Sequence, residues 1–319
     1  QPNPPVQEVV DSGAIPSLIS ILEDDENPDT QYEALWALTN VAGGSSTQTR
    51  ALVDEGALPH FVRLLKSPHQ QIQEQSAWAV GNIIGDGPEL RQLGIESGAI
   101  EPLVALYKSD APITTLRTLA WTLSNLFRRP PYPPAVVDRA LPVTKSLMDS
   151  SDEEVLLESL WGLTYFTDTA PDNIQKVVDS GVIPRVVALI PHDNPKISST
   201  AVRLAGNIAS GSAEQTQALL SSSLLSQVLP VLDERRTNRS LRKCIHWMLS
   251  NVAAGTQEQI QSLLDSGILP LVAEDLKDPD QPGFVKKEAL WVVSNMVECG
   301  TPEVVQGVVD QGVLEPLCI

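Results

Sequence analysis

The chain repeats itself at a fixed interval, and that interval decides what it can fold into. A tryptophan followed four residues later by an asparagine occurs as Trp36/Asn40, Trp78/Asn82, Trp121/Asn125, Trp247/Asn251 and Trp291/Asn295. Two degenerate copies fall between, Trp161/Tyr165 and Arg203/Asn207. The first residues lie 42, 43, 40, 42, 44 and 44 positions apart, and all six tryptophans of the chain belong to the pattern. A period near 42 means stacked supersecondary units, none of which buries its apolar face alone, so it outranks every local reading.

A second motif recurs in step with the first. It reads Asp54-Glu55-Gly56-Ala57-Leu58-Pro59 in one unit and returns around Gly13/Pro16, Gly98/Pro102, Gly181/Pro184, Gly267/Pro270 and Gly312/Pro316. The glycine suits a left-handed cap at the end of a short helix, and the proline suits the first turn of the next. In the second unit the spacing predicts a short helix over 48–55, a second over 60–66, a break at Ser67-Pro68-His69, and a longer third helix from about Gln70 through Ile84. Three helices in such a unit resemble an armadillo repeat, whereas a two-helix HEAT unit has no need of the Gly-x-x-Pro break. Two copies are worn, at Arg139–Pro142 and Ser226–Pro230, and the proline-rich stretch Arg129–Pro134 reads as a local loop. The expected fold is all-α, a right-handed superhelical solenoid. Residues 1–319 form one array of about seven and a half repeats, cut at both ends because neither offers a polar cap.

Charge narrows the partners. Against 22 basic residues stand 40 acidic ones, a net charge of −18. Such a surface repels nucleic acid and anionic membrane and draws basic partners, although solubility alone is the plainer explanation. No apolar run reaches the ~18 residues of a membrane span, and the N-terminus shows neither the basic nor the apolar region of a signal peptide. Cys244, Cys299 and Cys318 make no close-spaced framework, which points to a reducing compartment. His60, His69, His192 and His246 pair with no Cys or Asp at ligand spacing and read as solvated or capping residues. Cys244 and His246, two apart, do not share a helix face. Gly43-Gly44-Ser45-Ser46 lacks the preceding strand and following lysine of a phosphate loop. The expectation is a binding protein with no catalytic residues, metal or cofactor.

A helical wheel places the tryptophans. With Ala34 at zero and about 100° per residue, Leu35, Leu38, Val41 and Ala42 form one apolar stripe, while Trp36, Asn40 and Glu33 share the opposite face at about 200–260°. The same relation holds for Gln75/Trp78/Asn82, Thr118/Trp121/Asn125, Glu158/Trp161/Tyr165, Cys244/Trp247/Asn251 and Glu288/Trp291/Asn295. A core tryptophan would sit among the Leu and Val positions, so these are expected at the surface. Stacked third helices then present a ladder of indoles and carboxamides. An Asn amide can both donate to and accept from the backbone of an extended peptide. Neighbouring indoles make slots for the stem of Lys or Arg, with cation–π attraction, and a carboxylate such as Asp86 takes the ammonium. The ligand expected from the residues alone is an extended, lysine-rich segment.

The ladder also resembles the importin-α family of armadillo adaptors for nuclear localisation signals, over essentially the whole chain. Trp36–Asn40, Trp78–Asn82 with Gly85-Asp86-Gly87, and Trp121–Asn125 are similar to the second to fourth repeats of that family, and both lapses, Tyr165 and Arg203, fall in its order. The resemblance implies a major site at Trp36, Asn40, Trp78, Asn82, Trp121 and Asn125. There Gly44, Thr49 and Asp86 hold a principal lysine and Gln75 assists. It implies a minor site at Asn207, Trp247, Ser250, Asn251, Glu288, Trp291 and Asn295. Glu158, Trp161, Tyr165 and Arg203 are placed where a linker between two basic clusters would pass, so that a cargo touching both sites gains through effective concentration. It further implies shuttling between cytoplasm and nucleus, and importin-β as a partner only through a basic N-terminal segment. That segment is expected to be missing, because basic residues here never run beyond pairs such as Arg128-Arg129, Arg235-Arg236 and Lys286-Lys287. Departures from the family concern the minor site. Cys244 replaces a usual glutamate, Ala213 stands where an acidic residue is common (Glu214 is adjacent), and Arg239, Arg242 and Lys243 add positive charge. The minor site is therefore expected to bind lysine more weakly than the major. The rival expectation is an armadillo scaffold or chaperone for basic proteins that is not a transport adaptor.

Overall fold

Gly56 ends a short helix at φ 86° and opens the next, the backbone conformation a Cβ would strain, and five other glycines of the recurrent break adopt it too. The structure, a computed structural model, describes residues 5–234 and 238–313. The Arg235-Arg236 pair, Pro316 and Cys318 lie outside the described residues. The chain divides into two compact units, 1–165 and 166–319.

In the first unit, α1 (Val6–Asp11), α2 (Ile15–Ile21) and α3 (Pro28–Ala42) make one repeat. The next comprises α4 (Ser46–Asp54), α5 (Ala57–Leu64) and α6 (Gln70–Asp86), and a third comprises α7 (Pro88–Glu96), α8 (Ile100–Val104) and α9 (Ile113–Leu126). Then come α10 (Pro134–Leu147) and α11 (Glu153–Thr167). The second unit repeats the triplet. It runs α12 (Pro171–Asp179), α13 (Ile183–Ala188), α14 (Pro195–Ala209); α15 (Ala213–Ser221), α16 (Leu224–Asp233), α17 (Arg239–Ala253); α18 (Gln257–Asp265), α19 (Leu269–Lys277), α20 (Gly283–Cys299); and finally α21 (Pro302–Asp310). Third helices pack side by side within each unit, α3 on α6 on α9 and α14 on α17 on α20.

The stripe read from the wheel is the core of the first repeat: Ala34, Leu35, Leu38, Val41 and Ala42 are all buried. Phe61 and Leu64 on the second helix of the next repeat, and Leu65 at its C-cap, are equally buried. Each side chain of this size contributes about 1.5–3 kcal/mol on burial. Stacking is reinforced by polar braces. Ser45, Ser212 and Thr256 form capping boxes with Gln48, Gln215 and Gln259. The same glutamines reach an earlier repeat with their Nε2 atoms, to Gln7 Oε1 at 2.8 Å, Gln175 Oε1 at 2.9 Å and the Ala213 carbonyl at 2.7 Å. One side chain thus closes a helix and fastens a neighbour.

Both worn copies differ from the regular unit. In the first, α10 runs unbroken as a single helix with Pro142 inside it. In the second, the break falls at Ser223, in left-handed conformation at φ 67°, and Pro230 lies inside α16. The proline-rich stretch is a loop that is tied down. Tyr132 donates its hydroxyl to the Phe127 carbonyl at 2.7 Å, and Arg91 donates to the Pro131 carbonyl at 3.0 Å while its guanidinium lies 5.8 Å from the Tyr132 ring centroid. Among the described residues no helix is long and apolar enough to cross a membrane.

Candidate functional site

The tryptophans leave the core as the wheel predicts. Trp36 and Trp78 are 49% and 51% exposed, and Trp291 in the second unit is 48% exposed. Trp121, Trp161 and Trp247 are partly buried. In the first unit, Trp36, Asn40, Gly44, Gln75, Trp78 and Asn82 line one open cleft of about 610 Å³, together with Val6, Gln7, Thr39, Gly43 and Gln48. Gln75 is buried, and its Nε2 has no hydrogen-bond partner. A buried donor left unpaired costs about 1–3 kcal/mol.

The asparagines do two jobs. Asn82 Nδ2 donates to the Thr39 carbonyl at 3.4 Å, Asn125 Nδ2 to Gly81 O at 3.2 Å, Asn251 Nδ2 to Gly206 O at 3.1 Å and Asn295 Nδ2 to Ser250 O at 2.8 Å. Each acceptor is the residue just before the ladder asparagine of the preceding third helix. One N–H of every such amide therefore staples two helices. Asn40 instead donates to Trp36 O in its own helix, and Asn207 to Thr167 Oγ1 at 3.1 Å. The pattern expected the whole carboxamide to face the ligand, and half of its donor capacity belongs to the fold.

Around Asp86 the predicted residues are not equally placed. Asp86 ends α6 and accepts a hydrogen bond from Ser46 Oγ at 2.7 Å, a contact across 40 positions that the sequence did not flag. Thr49 is buried and gives its hydroxyl proton to the Ala42 carbonyl at 3.0 Å. Further along, Trp161 stacks on Tyr165 with ring centroids 5.3 Å apart. Glu158 accepts from Ser124 Oγ at 2.8 Å, and burial pushes its carboxyl above the usual range, with Glu154 adding to the shift and Ser124 and Arg128 opposing it.

The second unit carries a thinner version. Arg203 occupies the tryptophan position of α14 and is exposed. Asn207 is buried, as is Ser250, whose hydroxyl turns back to the Trp247 carbonyl at 2.8 Å. Glu288 and Asn295 are half-buried beside the exposed Trp291. Cys244 is half-buried, and burial raises its thiol pKa. The thiol stays neutral and offers no charge to a lysine.

His246 is not solvated, contrary to the expectation for the histidines. It is fully buried, with Nε2 2.7 Å from Asp275 Oδ2. Arg242 Nη1 reaches both Asp275 oxygens at 2.8 Å, its Nη2 donates to the Leu232 carbonyl at 2.8 Å, and Gln281 Nε2 donates to Asp275 Oδ1 at 2.7 Å. Burial works to raise the Asp275 carboxyl, but His246 and Arg242 outweigh it and hold it below its ordinary value. Arg242, read as surface positive charge near the minor site, is spent inside this cluster. Its partner lies 33 positions away on another helix, where no local pattern points. Among the described residues no group of three or more His, Cys, Asp or Glu side chains could hold a metal ion.

Comparison with known proteins agrees with this architecture. The Armadillo/beta-catenin-like repeat family matches residues 2–43, 45–85, 87–128 and 170–210. The chain is 38% identical over 316 residues to importin subunit alpha-1a of Oryza sativa subsp. japonica, covering 99% of this chain and 51% of that protein. It is 40% identical over 247 residues to importin subunit alpha-3 of Arabidopsis thaliana, covering 77% of this chain and 46% of that protein. The chain thus spans about half the length of the curated relatives it matches. Among solved structures, an engineered protein superposes with a TM-score of 0.87 at 26% identity, over 98% of this chain and 75% of that one. A designed armadillo repeat protein in complex with the peptide (KR)4 matches with a TM-score of 0.53 at 26% identity, over 88% of this chain and 99% of the design.

Proposed function

The chain belongs to the armadillo-repeat family, in its importin-α branch, and on that premise we propose that it is a nuclear import adaptor, shuttling between cytoplasm and nucleus, for proteins carrying lysine- and arginine-rich localisation signals. The observation that carries this reading is the face of the first unit. The half-exposed indoles Trp36 and Trp78 alternate there with Asn40, Asn82 and Asn125, of which Asn82 and Asn125 each give one N–H to the preceding third helix, on a chain of net charge −18. An extended basic segment matches every part of that face. Its backbone pairs with the free half of Asn82 and Asn125, a lysine stem lies between Trp78 and Trp121, and its ammonium meets Asp86. Gln75 supplies the unpaired N–H for one more carbonyl. The second unit offers a similar but weaker site at Asn207, Trp247, Asn251, Glu288, Trp291 and Asn295, since Cys244 and Arg203 stand where charge and indole would help. Importin-β would need a basic run longer than the pairs this sequence carries.

The rival scaffold or chaperone reading places the selectivity in the diffuse acidic surface rather than in the ladder. Titration of a Lys-Lys-x-Lys peptide at moderate salt separates the two. The adaptor reading expects binding that collapses when the central lysine becomes threonine. A peptide that binds equally well with threonine there refutes the ladder and favours general acidic chaperoning.

A further inference from the structure

The indoles of the ladder do not stand at one height. Trp78 and Trp291 are about half exposed, whereas Trp121 and Trp247 have sunk toward the helix before them. The difference tracks one position, the third residue after the tryptophan site on the preceding third helix. Ahead of Trp78 that residue is Thr39, and ahead of Trp291 it is Ser250. Ahead of Trp121 it is Gly81, and ahead of Trp247 it is Gly206. Neither glycine turns the chain, for both are inside regular helix. What each lacks is a Cβ in the place the next indole occupies. A Cβ on Gly81 would overlap Cζ3 of Trp121 and stand 3.0 Å from its Cε3, and one on Gly206 would overlap Cζ3 of Trp247 and stand 2.7 Å from its Cε3. Trp161 is also partly buried although Ser124 precedes it, and it differs from the others in stacking on the Tyr165 ring.

We propose that Gly81 and Gly206 are specificity-determining positions of the peptide face, each lowering the following indole so that it forms the floor of a slot instead of a second wall. The inference rests on the adaptor reading above. Between Trp78 and Trp121 the slot then has one upright wall and a recessed floor, which admits a long lysine or arginine stem. A Cβ at position 81 tilts Trp121 outward and closes that depth. Helix propensity alone favours alanine over glycine at both sites, so glycine is held there against its intrinsic cost.

The test has two arms. In the first, a Lys-Lys-x-Lys peptide and its single Lys→Ala derivatives are titrated calorimetrically against the wild-type chain and Gly81→Ala, with thermal unfolding to verify that the variant is folded. The expected result is about a tenfold or greater loss for the parent peptide and a loss under about threefold for the one derivative that leaves this slot empty. A loss equal for every peptide, or none, overturns the proposal. If no lysine peptide binds the wild-type chain, the adaptor reading fails, and the second arm still decides the claim about depth. There, 5-fluorotryptophan is incorporated and the H₂O/D₂O isotope shift of each ¹⁹F resonance is read without ligand. Ser250→Gly removes the side chain ahead of Trp291, together with its hydrogen bond to the Trp247 carbonyl, and it should bring the isotope shift of Trp291 down to that of Trp247. An unchanged Trp291 shift contradicts the proposal.

Discussion

The two units set similar ladders on different foundations. In the first, the third helices meet through apolar side chains and small residues, and the position just before each tryptophan is apolar: Leu35, Ala77, Ala120 and Leu160, all buried. In the second, the same position on α17 is His246, and the core beneath the ladder holds an Arg242–Asp275–His246 cluster fixed by charge-assisted hydrogen bonds. In the first unit Asp86 is partly buried and accepts from Ser46, whereas the second unit buries the Arg242–Asp275 ion pair and has the neutral thiol of Cys244 three residues before Trp247. Binding and stability are therefore drawn from different residues in the two units, and substitutions should separate them.

The largest effect is expected at Asp275. Asp275→Ala leaves Arg242 buried without its counter-ion and His246 Nε2 without its hydrogen-bond partner, which costs about 3–5 kcal/mol. A urea titration should show a lowered midpoint for the second unit while peptide binding at the first unit persists. The pH dependence has a definite sign. Because the folded pKa of Asp275 is depressed, its contribution is complete above the ordinary carboxylate range and disappears as pH falls through the folded value. Acid should therefore unfold the wild-type second unit in a step that Asp275→Asn lacks.

Asp86→Lys is next. If Asp86 takes the lysine head as proposed, reversing its charge should weaken a Lys-Lys-x-Lys peptide by about 2 kcal/mol, roughly thirtyfold, without shifting the urea midpoint. Asn125→Ala sharpens the distinction, because this amide serves both purposes. Losing its bond to Gly81 O should cost about 1 kcal/mol of stability, together with a measurable loss of peptide affinity. An Asn125→Ala variant that loses affinity alone would show the staple to be idle.

The smallest effect concerns Glu158. Its raised pKa means that ionisation is opposed in the free face, so a bound cation should release a proton from it. Peptides that reach Trp161 should bind progressively less well as pH falls through that pKa, and Glu158→Gln should flatten the profile. Calorimetry in two buffers of different ionisation enthalpy measures the proton directly.

The period, the glycine break and the apolar stripe were legible because each is a local pattern written several times, and the structure returns all of them, from Gly56 at φ 86° to Leu38 in the core. The exposed tryptophans followed from the same wheel. What was not legible depends on neighbours distant in sequence. Ser46 on Asp86, the Asn82 staple to Thr39 and the pairing of His246 with Asp275 all join residues 29–43 positions apart. Thr49 was named from the resemblance alone, and its hydrogen bond to Ala42 O, seven positions back, is a further contact that no pattern in the sequence announces. The break at Ser223 escaped because a serine in left-handed conformation carries no glycine signature.

The central claim is that an extended basic segment is selected by the face of the first unit. It is tested most directly by titrating one Lys-Lys-x-Lys peptide calorimetrically into the wild-type chain, Asp86→Lys and Glu288→Arg under identical salt. The account predicts that Asp86→Lys loses most of the affinity while Glu288→Arg stays within about threefold of wild type. Equal losses, or a peptide indifferent to Asp86→Lys, would contradict it.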